Sequence, residues 1–520
     1  MTAVQRTRDE AAGEFPDDAL ELVRTVFTAL HADGVRYCHW KSTTGLPIAL
    51  AGRTDLDLLV DRADAARFTG AVRDAGFKPF ISHPSRRFIG VEDWLGHDAE
   101  SGRLVHLHVY YRLILGEDHV KNHVLPIETA VLDDVVMRYG VKVPAPASEL
   151  IVLIVRTLLK YRRTDAAKDV LRLGRRGGIP PNMRSEIADL AGRVSAQELH
   201  AAARRLLPSM APDIFSDFLA VLSANPRDAR GLLRLRAATR RALKRYERLP
   251  AGTAMAISLA ARLQRAPGLR RILRPRTKAD LRRKSSAAGG LTVALIGPDG
   301  AGKSTVIDEV VQWLGWRLSL QVSYLGTARP SASTALIQAA SRTVRRVASG
   351  LRPASSGAPS GASGALSWFA DLVAALRYLA EARDRERRAR EGRRLAANGA
   401  LVLFDRYPLP WVRLPARPVD GPRIAELSDR RGGLLAALRR REEAIYARIP
   451  SPDLVILLTI EPAVALERKR NAKPDAIAAK ARAVLDAAGR VSGDGVVAID
   501  ASRPLAEVVR TVEAEIWQRL

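Results

Sequence analysis

Nine consecutive residues, at positions 297–305, constrain the fold of this chain more than any other segment. They read Gly297-Pro298-Asp299-Gly300-Ala301-Gly302-Lys303-Ser304-Thr305 and match the pattern G-x-x-x-x-G-K-[ST]. An apolar run at 291–296 precedes them, and a helical pattern beginning at Val306 follows. In a strand, turn and helix of this order, backbone N–H groups and the positive end of the helix point into one anion-sized hollow. The segment therefore predicts a phosphate-binding loop between a buried strand and a helix.

The residue types in this loop also predict how a nucleotide is held. Lys303 is expected to reach the β- and γ-phosphates, and Ser304 is expected to hold Mg²⁺ through its hydroxyl group. The predicted nucleotide-binding residues are Gly297, Asp299, Gly300, Ala301, Gly302, Lys303, Ser304 and Thr305. ATP and Mg²⁺ are therefore the predicted cofactors. The alternative is an ordinary turn between a strand and a helix.

Length and pattern divide the 520 residues into three predicted domains. Residues 1–145 mix helical and strand patterns, and residues 146–285 show helical periodicity alone and end in a densely basic run. Residues 286–520 alternate strand and helix, with strands expected at 291–296, 320–324, 400–404, 453–459 and 496–499. Apolar strands separated by helices indicate a parallel sheet covered on both faces. The predicted fold class is α/β, with a doubly wound parallel sheet that follows an α+β domain and an all-helical basic region.

The charge balance favours anionic partners. The chain has 83 Lys and Arg residues against 56 Asp and Glu residues, a net charge of +27. Such an excess is typical of proteins that bind nucleotides, nucleic acid or acidic lipid headgroups, and the basic helical region is where we expect that surface. The alternative is a set of solvated helix faces, because arginine is used heavily throughout the chain. Both interpretations remain open at this stage.

Cysteine content and hydropathy indicate the cellular compartment of the chain. A single cysteine, Cys38, excludes an internal disulfide and a cysteine-rich zinc site, which favours a reducing compartment. Residues 1–18 lack the apolar core of a signal peptide. The longest apolar run, 150–159, is interrupted by Arg156 and is too short to cross a bilayer. We therefore expect a cytoplasmic location.

A second set of candidate residues follows the strand expected at 400–404, which leads directly into Asp405-Arg406-Tyr407. A carboxylate at the carboxyl end of a parallel strand lies at the crevice where such sheets bind ligands. Asp405 is expected to bind Mg²⁺ directly or through water, and Arg406 is expected to grip an acceptor phosphate with two hydrogen bonds. The alternative is a surface ion pair in a turn.

Basic residues also follow the strand expected at 453–459. They include Arg468, Arg470 and Lys473. Cations on a segment in this position can close over ATP and neutralise charge on the transferred phosphoryl group. The alternative is that they reflect the general abundance of arginine. The predicted catalytic residues are Lys303, Asp405, Arg406, Arg468 and Arg470.

On these motifs, residues of about 290–520 resemble thymidylate kinase. The resemblance implies a P-loop kinase domain in which Asp299 contacts the acceptor sugar and Asp405 and Arg406 serve the metal and the acceptor phosphate. It also places a catalytic arginine among Arg468 and Arg470. The segment 326–330 reads Gly-Thr-Ala-Arg-Pro where that family has an Arg-Glu-Pro-Gly-Gly type segment. The domain therefore looks more like the divergent thymidylate-kinase-like proteins encoded with glycan or secondary-metabolite pathways.

The N-terminal region carries a separate acidic pattern. In the strand pattern at 55–60, alternation puts Asp55 and Asp57 on one face, with their backbones about 7 Å apart. Paired carboxylates of this kind suit a Mg²⁺–nucleotide complex, so both residues are predicted metal ligands.

With a helix expected at 63–75 and a strand that carries His106 and His108, residues of about 20–175 resemble the minimal nucleotidyltransferase fold. A helix at 148–173 is its expected helical partner. Lys41-Ser42 replaces the Gly-Ser of that family's phosphate-binding turn, and His106 replaces its third carboxylate. An active transferase, a fold retained for binding or packing, and a coincidence all remain open.

The leading functional hypothesis is an ATP-dependent phosphotransferase that acts on a nucleoside monophosphate or another small, sugar-type acceptor. The N-terminal domain would add nucleotidyl transfer or nucleotide sensing. The alternative hypothesis is an ATP-binding switch whose basic helical region engages nucleic acid or an anionic membrane surface. The oligomeric state, including a homodimer, is left open.

Overall fold

The computed structural model describes residues 13–171, 178–263, 283–350, 361–427, 433–469, 474–490 and 493–520. Its internal contacts divide the chain into two compact units, Met1–Thr277 and Lys278–Leu520. The first unit includes the predicted α+β segment together with nearly all of the predicted helical segment. The division of the chain into three domains stays a prediction.

The first unit has nine strands and eleven helices within the described residues. The strands are β1 (Tyr37–His39), β2 (Leu56–Val60), β3 (Lys78–Ile81), β4 (Val91–His97), β5 (Leu104–Tyr110), β6 (Leu113–Leu115), β7 (His123–Leu125), β8 (Val135–Arg138) and β9 (Val141–Pro144). The helices are α1 (Glu21–Ala32), α2 (Leu46–Leu50), α3 (Ala65–Asp74), α4 (Glu128–Leu132), α5 (Pro146–Lys160), α6 (Arg163–Val170), α7 (Pro181–Ala191), α8 (Ala196–Leu206), α9 (Asp213–Ala224), α10 (Ala229–Ala242) and α11 (Ala251–Leu263).

The main sheet of the first unit runs in the order β1-β2-β5-β4-β3. Strands β2 and β5 are parallel, and the other pairs are antiparallel. Asp57 on β2 lies opposite His108 on β5, and His108 also lies opposite Asp93 on β4. The centre of this sheet therefore brings acidic residues and histidines together.

Two apolar clusters support this sheet. In one, Phe27 and Phe68 from α1 and α3 pack with Leu58 and Leu107 from β2 and β5. The other contains buried residues from the sheet, such as Leu59, together with residues of α5 and α7–α10. Residues before and after position 145 therefore share a hydrophobic core.

The single helix expected at 148–173 is wrong, because α5 ends at Lys160 and α6 begins at Arg163. Tyr161 has an extended backbone conformation, which terminates the first helix. The N–H of Arg162 then donates to Asp165 Oδ2 at 3.2 Å, and its Nε donates to the same atom at 2.8 Å. A carboxylate that binds the residue before a helix favours a new helix start at that point.

The second unit, in the described residues, continues the numbering with six strands and seven helices. The strands are β10 (Ser285–Ser286), β11 (Leu291–Ile296), β12 (Leu320–Tyr324), β13 (Leu401–Asp405), β14 (Leu454–Thr459) and β15 (Val496–Asp500). The helices are α12 (Lys303–Leu314), α13 (Ala332–Gly350), α14 (Gly361–Ala397), α15 (Gly433–Ala447), α16 (Pro462–Arg468), α17 (Pro474–Arg490) and α18 (Leu505–Arg519).

The predicted parallel sheet is confirmed in the second unit. Its order is β12-β13-β11-β14-β15, and every neighbouring pair is parallel. All five strands lie within one residue of the predicted bounds. Residues of β11 and β13 pack with α14 and α17, for example Phe404 with Ala389 and Val484. Leu295 lies opposite Asp405, so the end of β13 lies beside the loop that leaves β11.

The described residues contain no helix that is both long enough and apolar enough to cross a membrane.

Gly290, just before β11, offers a test of this packing. A Cβ atom at Gly290 would lie 2.0 Å from the backbone oxygen of Ala400 and 2.6 Å from its nitrogen. We expect Gly290→Ala to destabilise the protein by about 3 kcal/mol, because backbone atoms must move apart. Gly433→Ala is the matched control, since nothing lies within 4 Å of a Cβ atom there. Thermal unfolding should shift strongly for the first variant only, and equal shifts would contradict the packing described.

Candidate functional site

The loop between β11 and α12 takes the conformation that its glycines permit. Gly300 has a φ of 98° and Gly302 a φ of 80°, in the left-handed region that favours glycine. A Cβ atom at Gly300 would also lie 2.8 Å from the backbone oxygen of Ala465. Both glycines are therefore required by geometry, and the chain turns tightly enough for α12 to begin at Lys303.

Lys303 is buried inside this loop. Its ammonium group donates to the backbone oxygens of Gly297 and Pro298, each at 2.8 Å. Burial lowers the pKa of Lys303 to about 8, and the neighbouring Arg406 adds to the effect. The carboxylates of Asp299 and Asp405 act in the opposite direction. The loop thus holds a cation in a partly desolvated setting where it would interact strongly with a phosphate.

Ser304 and Thr305 are exposed in the first turn of α12. The first backbone N–H groups of a helix have no acceptor within the helix itself. The exposed hydroxyl of Ser304 and these N–H groups are therefore presented at the mouth of the loop. Gly297 and Ala301 belong to the loop wall, because a Cβ atom at Gly297 would lie 3.2 Å from that of Ala301.

Asp405 ends β13, and Arg406 follows with a φ of 68°. The Arg406 guanidinium donates to Asp299 Oδ1 at 2.9 Å and lies 3.7 Å from Asp420. Burial lowers the pKa of Arg406, but Asp420 and Asp299 outweigh that effect and raise it. Arg406 therefore lies between two carboxylates, one of which, Asp299, belongs to the glycine-rich loop.

Asp299 has a second cationic neighbour that sequence reasoning missed. Lys480 on α17 lies 3.8 Å from Asp299 Oδ2. Burial raises the pKa of Asp299, but Lys480, Arg406 and Lys303 together lower it below its usual value. Asp299 is therefore held as a carboxylate by three cations. Lys480 lies in a helical pattern with nothing to distinguish it, so the sequence carried no signal for it.

Arg385 and Asp420 extend the charge network away from the loop. Arg385 is buried on α14, donates through Nε to the backbone oxygen of Leu325 at 2.8 Å, and also donates to the Tyr446 hydroxyl. Its guanidinium lies 3.9 Å from Asp420, which in turn faces Arg406. Sequence reasoning missed both residues, because one arginine among many in α14 carries no distinguishing pattern.

Of the predicted lid arginines, only Arg468 lies within the described residues. Arg468 ends α16 and donates to the backbone oxygen of Ala501 at 2.9 Å. Arg470 and Lys473 lie outside the described residues. The catalytic role of Arg468 and Arg470 stays a prediction.

In the first unit, Asp55 and Asp57 share one face with two histidines. Asp57 pairs with Lys41 at 2.6 Å and with His108 at 3.2 Å. Asp55 pairs with His106 at 3.1 Å, and the rings of His106 and His108 stack at 5.6 Å. Asp55 and Asp57, which the sequence predicts on one face of the strand, therefore both contact the stacked pair of His106 and His108.

A third carboxylate completes this cluster. Asp93 lies on β4. Its Oδ1 is 2.9 Å from His106 Nε2, and its Oδ2 accepts a hydrogen bond from the Ser82 hydroxyl at 2.5 Å. Sequence reasoning missed Asp93, because the strand that carries it, β4, was not recognised in the sequence. Among the described residues, no group of three or more Asp, Glu, His and Cys side chains is arranged to hold a metal ion. The roles of Asp55 and Asp57 as metal ligands stay predictions.

The turn at Lys41-Ser42 is closed by buried carboxylates from the helical segment. The backbone N–H of Thr43 donates to Glu149 Oε1 at 3.0 Å. Burial raises the pKa of Glu149 to about 7, although its hydrogen bonds to Thr43 oppose the shift. Glu186 accepts hydrogen bonds from Ser42. The backbone N–H of Thr43 therefore has an internal acceptor.

No protein-family model matches this chain, and no curated protein matches it. Among solved structures, the chain is similar to deoxyadenosine kinase from M. mycoides with bound dATP, at 13% sequence identity and a TM-score of 0.26. The match covers 44% of this chain and 98% of that chain. At this identity and TM-score, the likeness assigns neither an activity nor a substrate.

The pKa of Lys303 gives a pH test of the loop. At a pKa of about 8, Lys303 is charged below pH 8 and loses its proton above it. We expect the affinity for Mg·ATP to fall as the pH rises past 8, by up to about tenfold per pH unit, because binding then requires proton uptake. Calorimetric titration in buffers of different ionisation enthalpy measures that uptake.

The control for this measurement is Lys303→Arg, since an arginine stays charged throughout this pH range. Its affinity for Mg·ATP should be almost independent of pH. The same pH dependence in both proteins would show that another group controls binding.

Proposed function

We propose that the chain is an ATP-dependent phosphotransferase. In this proposal the Lys278–Leu520 unit transfers the γ-phosphoryl group of ATP to a nucleoside monophosphate or another small, sugar-type acceptor, as in thymidylate-kinase-like proteins. The observation that carries the proposal is the buried Lys303 ammonium, held by the Gly297 and Pro298 oxygens at the carboxyl end of the central parallel strand. An ordinary turn has no need to bury a lysine in this way.

The loop residues would bind the phosphates of ATP. The Lys303 ammonium would exchange its two backbone acceptors for phosphate oxygens, while the N–H groups at the start of α12 donate to the same anion. Mg²⁺ fits the residues present, because the Ser304 hydroxyl and the Asp405 carboxylate are hard oxygen ligands. When bound, the metal would neutralise charge on the phosphates.

Arg406 would orient the acceptor. Asp299 and Asp420 flank its guanidinium, so the side chain is fixed before a ligand arrives. An acceptor phosphate would replace one carboxylate partner and keep a two-pronged contact. Catalysis in this proposal comes from positioning and from charge stabilisation by Lys303 and Arg406.

A second candidate function concerns the first unit, where the alignment of Asp55 and Asp57 favours nucleotidyl transfer or nucleotide binding. The Lys41 ammonium group lies 2.6 Å from Asp57 Oδ1, so a metal-bound nucleotide would have to displace that ammonium group. If the native protein releases pyrophosphate and Asp57→Asn does not, the result would support nucleotidyl transfer. Nucleotide binding without pyrophosphate release would leave a sensing role.

The first test of the proposal removes the loop ammonium. Lys303→Ala is expected to lower ATP turnover by about a hundredfold or more, because the loop loses the ammonium group that would contact the β- and γ-phosphates. Lys244→Ala is the control, since Lys244 is exposed in the first unit and carries the same charge. Circular dichroism should show that both variants keep the fold, and unchanged turnover in Lys303→Ala would remove the assignment.

A companion variant tests the independence of the two sites. Asp55→Asn/Asp57→Asn is expected to leave ADP release largely intact, because these residues belong to the other unit. Loss of ADP release in this variant would contradict phosphoryl transfer by the Lys278–Leu520 unit alone.

The decisive experiment measures ADP release with a panel of nucleoside monophosphates, sugars and sugar phosphates. The proposal requires ADP release that depends on one of these acceptors, with a product that mass spectrometry shows to have gained one phosphoryl group. ADP release that ignores them but rises with RNA, DNA or anionic vesicles would contradict the proposal. It would favour the ATP-binding switch.

A further inference from the structure

A cavity of about 420 Å³ lies in the first unit, away from Asp55 and Asp57. It is open to solvent on one side and is lined by residues of the segment 116–123, the end of α5, and helices α6, α10 and α11. Pockets that hold small organic molecules start at about 300 Å³, so this space is large enough for one. Neither the phosphotransferase proposal nor the acidic cluster uses it.

One wall of the cavity is cationic. Arg162, Arg163, Arg236 and Arg240 all line it. Arg162 is paired with Asp165 at 2.8 Å, and Arg240 lies 3.3 Å from Glu247. Glu117 also lines the cavity, so four arginines lie against three carboxylates and the lining keeps a net positive charge. Guanidinium groups that converge on one space match the planar oxygens of a carboxylate or phosphate.

Two side chains of the lining have buried nitrogen atoms without a hydrogen-bond partner among the described residues. Within the residues that the structure describes, the buried Nε of Arg236 has no hydrogen-bond partner. The same holds for both ring nitrogens of buried His123, although Nε2 lies 3.5 Å from a Glu247 oxygen. Buried polar groups are normally hydrogen-bonded, so these groups indicate a missing partner. Burial lowers the pKa of His123 to about 4, and Arg240 and Arg236 contribute, so the ring is neutral at pH 7 and can donate one hydrogen bond.

Another part of the lining is apolar and is formed partly by α11. Leu159, Met255 and Leu259 line the cavity on that side. Met255 is 74% exposed and Leu259 is 54% exposed, so both also present apolar surface to water. The Ser258 hydroxyl donates to Glu117 Oε2 at 2.8 Å and ties α11 to the cavity rim. An apolar body placed in the cavity would cover the inner side of this helix.

We propose that this cavity binds a small organic anion, with a carboxylate or phosphate headgroup at Arg236 and Arg240 and an apolar body between Leu159 and Met255. The headgroup supplies an acceptor for the Arg236 Nε and for a His123 N–H. The apolar body removes from water the surface that α11 leaves exposed. The site belongs to the first unit, and this proposal does not depend on the function proposed for the Lys278–Leu520 unit.

The test is calorimetric titration of the full chain with decanoate, decyl phosphate and decan-1-ol at an ionic strength of about 0.15 M, where loose attraction to a basic surface is largely screened. At least one of the two anions is expected to bind with one molecule per chain. The alcohol has the same apolar body without a charge, and it should bind at least about tenfold more weakly, since hydrogen bonds to a charged group contribute on that scale. The two anions distinguish a carboxylate site from a phosphate site.

Two pairs of variants separate this site from general attraction to a positive protein. Arg236→Gln/Arg240→Gln should weaken binding of the anion at least about tenfold, because the headgroup loses its charged donors. Arg234→Gln/Arg241→Gln removes the same charge from exposed positions on the same helix, and it should leave the affinity within about twofold. Equal losses in the two pairs would overturn the proposal.

Ala254→Phe provides a second variant that leaves every arginine in place. Ala254 lines the cavity from α11, so the larger ring should occupy the space of the apolar body and weaken binding. Binding of the alcohol as tight as that of the anions would overturn the proposal. Absence of binding by both anions, or binding unaffected by Ala254→Phe, would overturn it as well.

Discussion

The candidate site of the second unit depends on one interaction, the hydrogen bonding of the buried Lys303 ammonium to two backbone oxygens of its own loop. An ammonium group is costly to bury without acceptors, and these two oxygens supply them. The same two hydrogen bonds fix the curvature of the loop, because Lys303 at the start of α12 binds the oxygens of Gly297 and Pro298 at the start of the loop. The lowered pKa of Lys303 shows that the cation is still incompletely compensated. A bound polyphosphate would complete that compensation.

Around this lysine, charges alternate through a network drawn from distant parts of the chain. Arg385, Asp420, Arg406, Asp299 and Lys480 follow one another at distances of 2.9 to 3.9 Å. Each carboxylate lies between two cations, and these contacts orient both arginines. Such pre-orientation is what a phosphoryl-transfer site requires, since its catalysis comes mostly from positioned charge. In the proposed phosphotransferase, the same network would link the loop to the bound acceptor.

The two polar regions of the first unit differ in how their charges are balanced. In the cluster of Asp55, Asp57 and Asp93, every carboxylate meets a lysine or a histidine within about 3.2 Å. In the arginine-lined cavity, the Nε of Arg236 is buried without a hydrogen-bond partner among the described residues. The first region is satisfied internally, whereas the second has capacity for a ligand. This contrast, rather than the total charge of the chain, is what marks the cavity.

Sequence patterns were sufficient for the second unit wherever local rules dominate. Apolar runs flanked by helical patterns placed all five strands of the parallel sheet, since strands buried on both faces have few alternatives. The glycine-rich pattern located Lys303, and the position after a strand located Asp405. In the first unit, β3 and β4 were missed, because their alternation is short and includes polar residues such as Glu92 and Asp93.

The sequence by itself therefore determined the glycine-rich loop between β11 and α12, the parallel strands around it, and the shared face of Asp55 and Asp57, because each follows from neighbours along the chain. Only the tertiary structure decided which charged side chains lie beside the loop and beside the acidic cluster. Lys480, Arg385 and Asp420 join the loop, and Asp93 joins His106, across separations of 13 to 181 residues along the chain. The arginine-lined cavity was equally invisible in the sequence. In a chain with 83 basic residues, composition hides which of them converge, and only the packing of helices and strands brings particular side chains together.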